Sequence, residues 1–299
     1  MTYTSPLRRR ARAARRIIVA STHRNVRGNG VVIPAYWWDG HPNFGDDLTP
    51  WLLPKYGIVP IHRVASAASF AGAGSVLEFL PPTFDGVIWG SGLMHSRPHS
   101  LPNAHVLAVR GAHTRDLIGA PSDVALGDPG ILVSRHLRRS QTRWEIGLMP
   151  HGHHRGHEGV RQLAAAAGVR VHIINVHQRA AAALREIAAC ERIISTSLHG
   201  LITADSFGIP AAWTSLEPPL DGGVFKFEDY ESVVSPGSSR FVAYENGMGV
   251  DDLVGATRLA DRDAVRGSIE ALEAALADLL RDSDRLLPFP AGLVTVLRN

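Results

Sequence analysis

The sequence predicts an α/β protein in which two parallel, doubly wound layers face each other. Short apolar runs alternate with stretches of helical spacing in both halves of the 299-residue chain, which predicts parallel sheets covered by helices. Glycines and polar residues follow many of these runs, at the strand ends where such sheets bind ligands. A hydrophobic content of 45% suffices for one large or two medium cores.

The predicted elements fall into two series separated by a polar, basic linker at 137–143. In the first series they are a strand at 31–36, a helix ending near Tyr56, strands at 87–89 and 105–109, and a helix at 112–118. In the second they are strands at 146–149, 169–174, 192–194 and 211–213, helices at 161–167 and 180–189, and an amphipathic helix at 265–279 that packs on the body. We therefore expect an N-terminal domain over 17–140 and a C-terminal domain over 141–299.

The first 16 residues contain six arginines and no acidic residue. Without them the chain has 25 basic and 28 acidic residues, so the folded body is mildly acidic and a nucleic-acid partner is not expected. The favoured interpretation of 1–16 is a disordered, solvated tail. The alternative is a basic segment that contacts anionic lipid at a membrane.

The segment Ser195 to Pro210 carries the sharpest functional signal. A buried strand runs into Ser195-Thr196-Ser197, a helix N-cap sequence, and the helix stops at Gly208 and Pro210. His199 and Ser197 therefore lie beside unpaired backbone N–H groups and a positive helix dipole, where anionic ligands bind. A histidine there is either a proton donor or a core residue bonded to backbone, and the polar setting favours the first.

Two loops of the N-terminal half contribute further candidates. Asn43-Phe44-Gly45-Asp46-Asp47 opens a helix, so its carboxylates either cap that helix or act on a ligand. The aromatic approach to it, which includes Trp38, suits the face of a sugar, although aromatics are also core residues. Gly90-Ser91-Gly92 follows a strand and either approaches a ligand or makes a tight turn.

Three charged or titratable residues complete the candidate set. Arg110 directly follows a strand, where a guanidinium can bind carboxylate or phosphate; an ordinary surface arginine is the alternative. His151 follows the strand at 146–149 and faces the predicted cleft, whereas His153, His154 and His157 read as loop surface. Lys226, between two phenylalanines, is predicted on an alternating strand or an ordered loop that directs it toward an anion.

The sequence lacks the motifs of several common classes of functional site. No P-loop or dinucleotide fingerprint occurs, and the histidines at 151–157 fit no zinc spacing. The single cysteine, Cys190, excludes a disulfide within the chain and suggests a reducing, cytoplasmic compartment. No apolar run reaches the roughly 18 residues that cross a bilayer.

Taken together, the motifs resemble those of polysaccharide pyruvyl transferases, in the same order. They are Asn43 to Asp47, Val109-Arg110-Gly111 with Thr114, Leu126 to Pro129, Ile146 to His151, and Ser197 to Gly200 with Gly208 to Pro210. Lys226-Phe227 with Asp229-Tyr230 resembles the bacterial exopolysaccharide branch. The resemblance covers roughly residues 31–235 and departs at Ser197, where many members have arginine.

The resemblance implies two facing Rossmann-like domains (GT-B-like) and a transferase with no cofactor or metal. The implied donor is phosphoenolpyruvate, and the implied acceptor is a sugar on a lipid-linked or polymeric envelope glycan, modified in the cytoplasm or at the inner membrane face. In this scheme His199 is the acid, Asp46 orients or deprotonates the acceptor, and Arg110 and Lys226 hold the donor. The remaining expected binding residues are Asn43, Gly45, Ser91, Gly92, His151, Ser195, Ser197 and Trp38.

Two other functions share this architecture. A nucleotide-sugar glycosyltransferase of the GT-B type needs a nucleobase and ribose site, for which the sequence offers no clear carboxylate. A non-catalytic glycan-binding scaffold is compatible with Ser197 in place of the family's usual arginine.

Overall fold

The computed structural model describes residues 6–245, 248–281 and 284–298. Within these residues the chain forms two β-sheets covered by helices, which confirms the predicted α/β class with parallel sheets. The first sheet has seven strands in the described residues: β1 (Val31–Tyr36), β2 (Ile58–His62), β3 (Phe70–Ala71), β4 (Val87–Ser91), β5 (His105–Val109), β6 (Ala125–Leu126) and β11 (Leu287–Pro288). Its pairings are parallel except for that of β11 with β1.

The second sheet has four parallel strands in the order β10-β9-β7-β8. They are β7 (Trp144–Met149), β8 (Val171–Ile173), β9 (Cys190–Ser195) and β10 (Ala211–Trp213). β9 is apolar and buried at Ile193 and Ile194, as a central parallel strand covered on both faces must be. Residues 137–143 join α4 to β7, the first strand of the second sheet.

Eleven α-helices connect and cover the sheets in the described residues. They are α1 (Pro6–Ser21), α2 (Leu48–Leu52), α3 (Ala112–Ile118), α4 (Val133–His136), α5 (Glu158–Ala167), α6 (Ala180–Ala188), α7 (Leu198–Ser206), α8 (Phe225–Val234), α9 (Val250–Gly255), α10 (Arg262–Arg281) and α11 (Ala291–Arg298). In the part of the chain described, none combines the length and apolar character needed to cross a bilayer.

One hydrophobic core spans both sheets. It includes Leu48 from the first half and Ile202 from the second. Gly130 lies between these two side chains, each of which would be 3.0 Å from a Cβ at that position. The layers therefore pack directly on each other, and the loops that follow β1, β7 and β9 meet at their junction.

The C-terminal elements return to the first sheet. Trp89 on β4 donates its indole N–H to the carbonyl of Leu272 on α10 at 3.0 Å, and β11 pairs with β1. We expected the whole of 141–299 to belong to the second unit. The apolar face of α10 (Ile269, Leu272, Leu276 and Leu279 are buried) instead covers β4 to β6, because those strands need a cover on that side.

Residues 6–21 form the helix α1, so the prediction of a disordered tail over 1–16 is wrong for residues 6–16; residues 1–5 lie outside the described residues. Arg12 and Arg16 donate to Asp39 at 2.8 and 2.7 Å, and Arg16 also pairs with Asp47. Ile17 and Ala20 pack on the first layer. These contacts offset the repulsion among the arginines, so the segment folds as a helix.

Helix α8 also corrects a prediction, since Lys226 lies on this helix and not on a strand or loop. α8 bridges the two layers. Asp229 accepts from Arg110 at 2.8 Å on one side, and Tyr230 donates to Asp205 of α7 at 3.0 Å on the other. Phe227 stacks on Trp213 of β10, with ring centroids 4.5 Å apart.

Candidate active site

A cleft of about 620 Å³ lies where the loops after β1, β7 and β9 meet α8. Seven of the predicted site residues line it: Trp38, Asn43, Asp46, His151, Ser197, His199 and Lys226. Three of them, Asp46, His199 and Lys226, come from segments far apart in sequence and carry titratable groups. The fold thus gathers an acid, an imidazole and an amine around one space.

The N-terminus of α7 opens into the cleft. Ser197 is the N-cap residue, but its hydroxyl makes no capping bond; the Ser195 hydroxyl instead accepts from the Ser197 N–H at 2.9 Å. The first N–H groups of a helix lack partners within it, and the dipole adds positive potential. This end of α7 therefore offers an anion-binding surface beside His199.

The His199 imidazole is buried between two groups of the first layer. Its Nε2 lies 3.8 Å from Oδ2 of Asp128 and has no hydrogen-bond partner among the described residues. On the other side it contacts Gly45, where a Cβ would overlap Nδ1. Burial lowers the pKa of His199, assisted by Arg110 and Lys226 and opposed by Asp128. A buried nitrogen without a partner is uncommon, and a bound ligand would supply one.

Asp46 has a carboxyl group suited to proton transfer near neutral pH. Burial and the neighbouring Asp47 raise its pKa to about 7, against the opposing effects of Asn43, Lys226 and Arg16. A carboxyl group with a raised pKa that lines a cleft is a candidate acid or base. The capping alternative for this loop is not what the structure shows, because the N-cap of α2 is Asp47 and makes no side-chain cap bond.

Lys226 supplies a cation at the wall of the cleft. Its amine makes no hydrogen bond or ion pair with the described residues and lies 5.8 Å from the ring centroid of Phe227. Burial lowers its pKa to about 8, with Arg110 acting in the same direction and Asp221 and Asp46 opposing. The amine is therefore largely charged at neutral pH and available to an anion.

Arg110 is placed differently from the expectation that it contacts a ligand. Its guanidinium is fully buried and donates to Asp229 at 2.8 Å, to the carbonyl of Leu93 at 2.7 Å and to Ser75. Ser75 lines the cleft, whereas Arg110 does not. Its protein partners make it a positioning residue that holds α8, and thereby Lys226, against the first layer.

Four other predicted residues lie behind the cleft wall. Ser195 donates to the carbonyl of Ser197 at 2.7 Å, and Ser91 donates to that of Gly74 at 2.9 Å. A Cβ on Gly92 would overlap the guanidinium of Arg110, as one on Gly45 would overlap His199. These residues shape the site. Their hydrogen bonds or close packing explain why serine or glycine stands at each of these positions.

The histidines after β7 divide differently from the prediction. His151 lines the cleft as expected, and burial lowers its pKa to about 3, with Lys226 adding to the effect. His154 is buried, not on the surface, because Thr196 and the carbonyl of Pro218 lie 2.9 and 3.0 Å from its two nitrogens. In the described part of the chain, no three His, Cys, Asp or Glu side chains are arranged to hold a metal ion.

Sequence reasoning missed several residues of the site. Arg155, Phe79 and His177 line the cleft, and Asp128 supports it by accepting from the N–H groups of Gly130 and Gly74 at 2.8 and 3.2 Å. Asp128 belongs to the motif Leu126 to Pro129, for which the sequence alone predicts no role. Arg155 and Phe79 belong to stretches without a strong pattern, so only the folded chain reveals them.

The two sheets and the cleft define a class: an α/β protein with a cleft at a helix N-terminus that is lined by an acid, an imidazole and an amine. Within that class, residues 79–218 match the model of the family "Polysaccharide pyruvyl transferase". This match and the relative described next support the predicted resemblance to that family.

Two curated proteins are similar to the chain. It is 27% identical over 215 residues to the succinoglycan biosynthesis protein ExoV of Rhizobium meliloti (strain 1021), across 66% of this chain and 63% of that protein. It is 28% identical over 180 residues to the uncharacterized protein L143 of Acanthamoeba polyphaga mimivirus, across 56% and 62%. The matched regions thus span slightly less than two thirds of each relative.

Among solved structures, an uncharacterized protein from Klebsiella pneumoniae subsp. pneumoniae aligns with 78% of this chain and 98% of its own. The sequence identity is 12% and the TM-score is 0.42, so this similarity adds nothing to the assignment.

Proposed function

We propose that this protein transfers the pyruvyl group of phosphoenolpyruvate to two hydroxyls of a cell-envelope or exopolysaccharide sugar and forms a pyruvate ketal. The observation that carries the proposal is the convergence of Lys226, His199 and Asp46 at the N-terminus of α7. The resemblance to that family supports the same reaction class. The scheme uses no cofactor or metal, because side chains and backbone N–H groups supply the positive charge.

The donor carries a carboxylate and a phosphate, which need several donors and cations. Lys226 and the α7 N-terminus form one side of its site. Arg155, an exposed cation at the cleft, takes the place of the arginine that many family members have at the position of Ser197. The Ser197 hydroxyl, which makes no capping bond, adds a further hydrogen-bonding group.

The reaction begins at the methylene carbon of the donor. His199 gives a proton to that carbon, which becomes a methyl group and leaves C2 electrophilic. Anion binding favours the charged imidazole, and Asp128, 3.8 Å from Nε2, stabilises it further. Burial lowers the pKa of His199 in the free protein. Binding of the donor raises it again, so the imidazole becomes protonated when the donor is present.

The acceptor completes the transfer in two additions. One hydroxyl gives its proton to Asp46 and bonds to C2, and the C2–O bond to phosphate then breaks. The second hydroxyl bonds to C2 and gives its proton to the now neutral imidazole of His199, which closes the ketal, and the departing phosphate takes the proton from Asp46. Trp38 and Phe79, with ring centroids 5.5 Å apart at the cleft, offer the apolar surface on which a sugar face stacks. We place the reaction in the cytoplasm, where a free cysteine such as Cys190 is usual.

Mass spectrometry of envelope glycans tests this function. A strain that lacks the gene should lose a pyruvate ketal, which the wild-type gene restores and His199→Ala does not. The matched control is His105→Ala, an exposed histidine at the start of β5, which should restore it fully. An unchanged ketal content in the deletion strain contradicts the proposal.

A binding assay separates the proposal from its two rivals. Phosphoenolpyruvate should raise the melting temperature of the purified protein, and a nucleotide sugar should not. The reverse result favours a glycosyltransferase. Phosphate release from phosphoenolpyruvate with an envelope glycan excludes a scaffold without catalysis.

A further inference from the structure

Helix α1 has two faces of opposite character. Arg9, Arg12 and Arg16 lie on its inner face and pair with Asp39, and Arg16 also pairs with Asp47. Arg9, Arg12 and Arg16 thus hold this face of the helix to the body of the protein. Two carboxylates balance most of the charge of these three arginines, which therefore do not explain why the opposite face is basic as well.

The outer face of α1 is an apolar stripe flanked by arginines. Leu7, Ala11, Ala14 and Ile18 recur at steps of four, three and four and are all exposed, so they lie on one side of the helix. Leu7 and Ile18 are 77% and 62% exposed. Arg8, Arg10 and Arg15 are exposed beside the stripe, and residues 6–21 contain no acid.

The neighbouring helix α11 extends this surface. Val294 and Leu297 on α11 are about half exposed. Leu297 shares with Arg10 and Arg63 a pocket of about 410 Å³ beneath α1. Exposed large apolar residues therefore gather on two adjacent helices together with basic side chains, which is unusual for a solvated surface.

We propose that this surface, formed by α1 and the exposed side of α11, docks on an anionic lipid membrane. A helix with an apolar stripe and flanking arginines lies in the plane of the lipid headgroups, and each arginine near anionic lipid adds to the affinity. A second copy of the chain is a poorer partner, because two such faces would bring arginines together without an acidic residue to pair with them.

Docking would also bring the loop after β1, which forms part of the cleft, close to the membrane. Asp39 and Asp47, the partners of the inner arginines, belong to the loop that carries Trp38 and Asp46. Resting on the proposed function, this geometry makes the acceptor a glycan attached to a membrane lipid. The docking surface itself does not depend on the chemistry in the cleft.

Vesicle flotation tests the proposal with the full-length protein. The wild-type chain should float with vesicles of phosphatidylglycerol and phosphatidylcholine, less so as salt rises, and should remain unbound with phosphatidylcholine alone. Leu7→Gln with Ile18→Gln should weaken the partition coefficient by at least about tenfold. Arg10→Gln with Arg15→Gln should weaken it by about fivefold per charge at low salt.

Matched controls use exposed residues elsewhere on the surface. Phe241→Gln with Leu259→Gln, and Arg161→Gln with Arg266→Gln, should leave vesicle binding unchanged. Turnover of phosphoenolpyruvate with a soluble acceptor should be normal in the Leu7→Gln, Ile18→Gln variant, which separates docking from catalysis. Absence of wild-type flotation overturns the proposal, as does a concentration-dependent dimer that the same two substitutions abolish.

Discussion

Gly45 lies directly against the imidazole of His199, so closely that a Cβ on Gly45 would overlap Nδ1. The contact joins the loop after β1 to the helix after β9, and so sets where the imidazole stands between the two layers. The glycine is required by this approach and not by its backbone conformation, because its φ is not among the positive values in the chain.

Gly45→Ala is therefore expected to displace His199 and to reduce pyruvyl transfer by about 100-fold or more, since misplacement of about 1 Å costs that much. Steady-state kinetics of phosphate release measure the effect. The control is Gly119→Ser, at a C-cap where a Cβ meets open space, although its positive φ costs some stability. Wild-type kcat in Gly45→Ala would show that the imidazole position does not matter.

The pH profile of kcat/KM should be bell-shaped. As a base, Asp46 must be ionised, so its contribution to the rate rises with pH through its pKa of about 7. Lys226 must be protonated, so its contribution falls above its pKa of about 8, and His199, whose pKa burial lowers, must be protonated as the acid and adds to the fall as pH rises. Asp46→Asn should remove the lower limb and Lys226→Arg should move the upper limb to higher pH. A profile with neither limb altered removes both groups from the mechanism.

Asp46 should also lower the stability of the free protein near neutral pH. Its pKa is about 7 in the fold and about 4 in an unfolded chain, so folding stability is lost as pH rises from 4 to 7. Asp46→Asn should raise the melting temperature by about 2–4 °C at pH 8 and hardly at all at pH 4. The exposed Asp123→Asn, as the comparison, should change neither value.

The buried pair of Arg110 and Asp229 should matter more for stability than for direct contact with substrate. Arg110→Ala leaves Asp229 buried with fewer donors, and we expect a loss of about 3–5 kcal/mol in the free energy of unfolding. Urea unfolding measures it, and Arg115→Ala, from a partly exposed pair with Asp116, should cost under about 1 kcal/mol. If Arg110→Ala abolished activity but left the midpoint of urea unfolding unchanged, Arg110 would act in binding the donor and not in stabilising the fold.

Trp38 should affect the acceptor and not the donor. Trp38→Ala removes the ring that lies 5.5 Å from Phe79 at the cleft, and we expect KM for the glycan to rise about tenfold while KM for phosphoenolpyruvate stays the same. Val64→Ala, another exposed apolar residue, is the matched control. Equal changes in both constants would contradict a stacking role.

Local patterns were sufficient to predict the part of the site that local sequence builds. β9, the Ser197 cap and α7 follow one another within 17 residues, and their apolar run, polar turn and glycine stop act over that distance alone. The motif Asn43 to Asp47 was likewise recognisable, as were most strands of both sheets. The resemblance of the chain to polysaccharide pyruvyl transferases rests on these same short stretches.

Long-range contacts decided what the sequence did not predict. Lys226 is helical because Asp229 and Tyr230 on α8 find partners more than 100 and about 25 positions away. The arginines of α1 order that segment through Asp39, 23 to 30 positions away. No periodicity within either segment encodes those partners.

The double attachment of α8 limits how the protein can capture its ligand. Asp229 ties this helix to Arg110 in one layer, and Tyr230 and Glu231 tie it to Asp205 and Trp213 in the other. A clamshell motion of the two layers would have to rupture buried ionic bonds on one side of the helix. Any change of shape on binding is therefore left to the loops after β1 and β7, and a ligand meets a preformed floor.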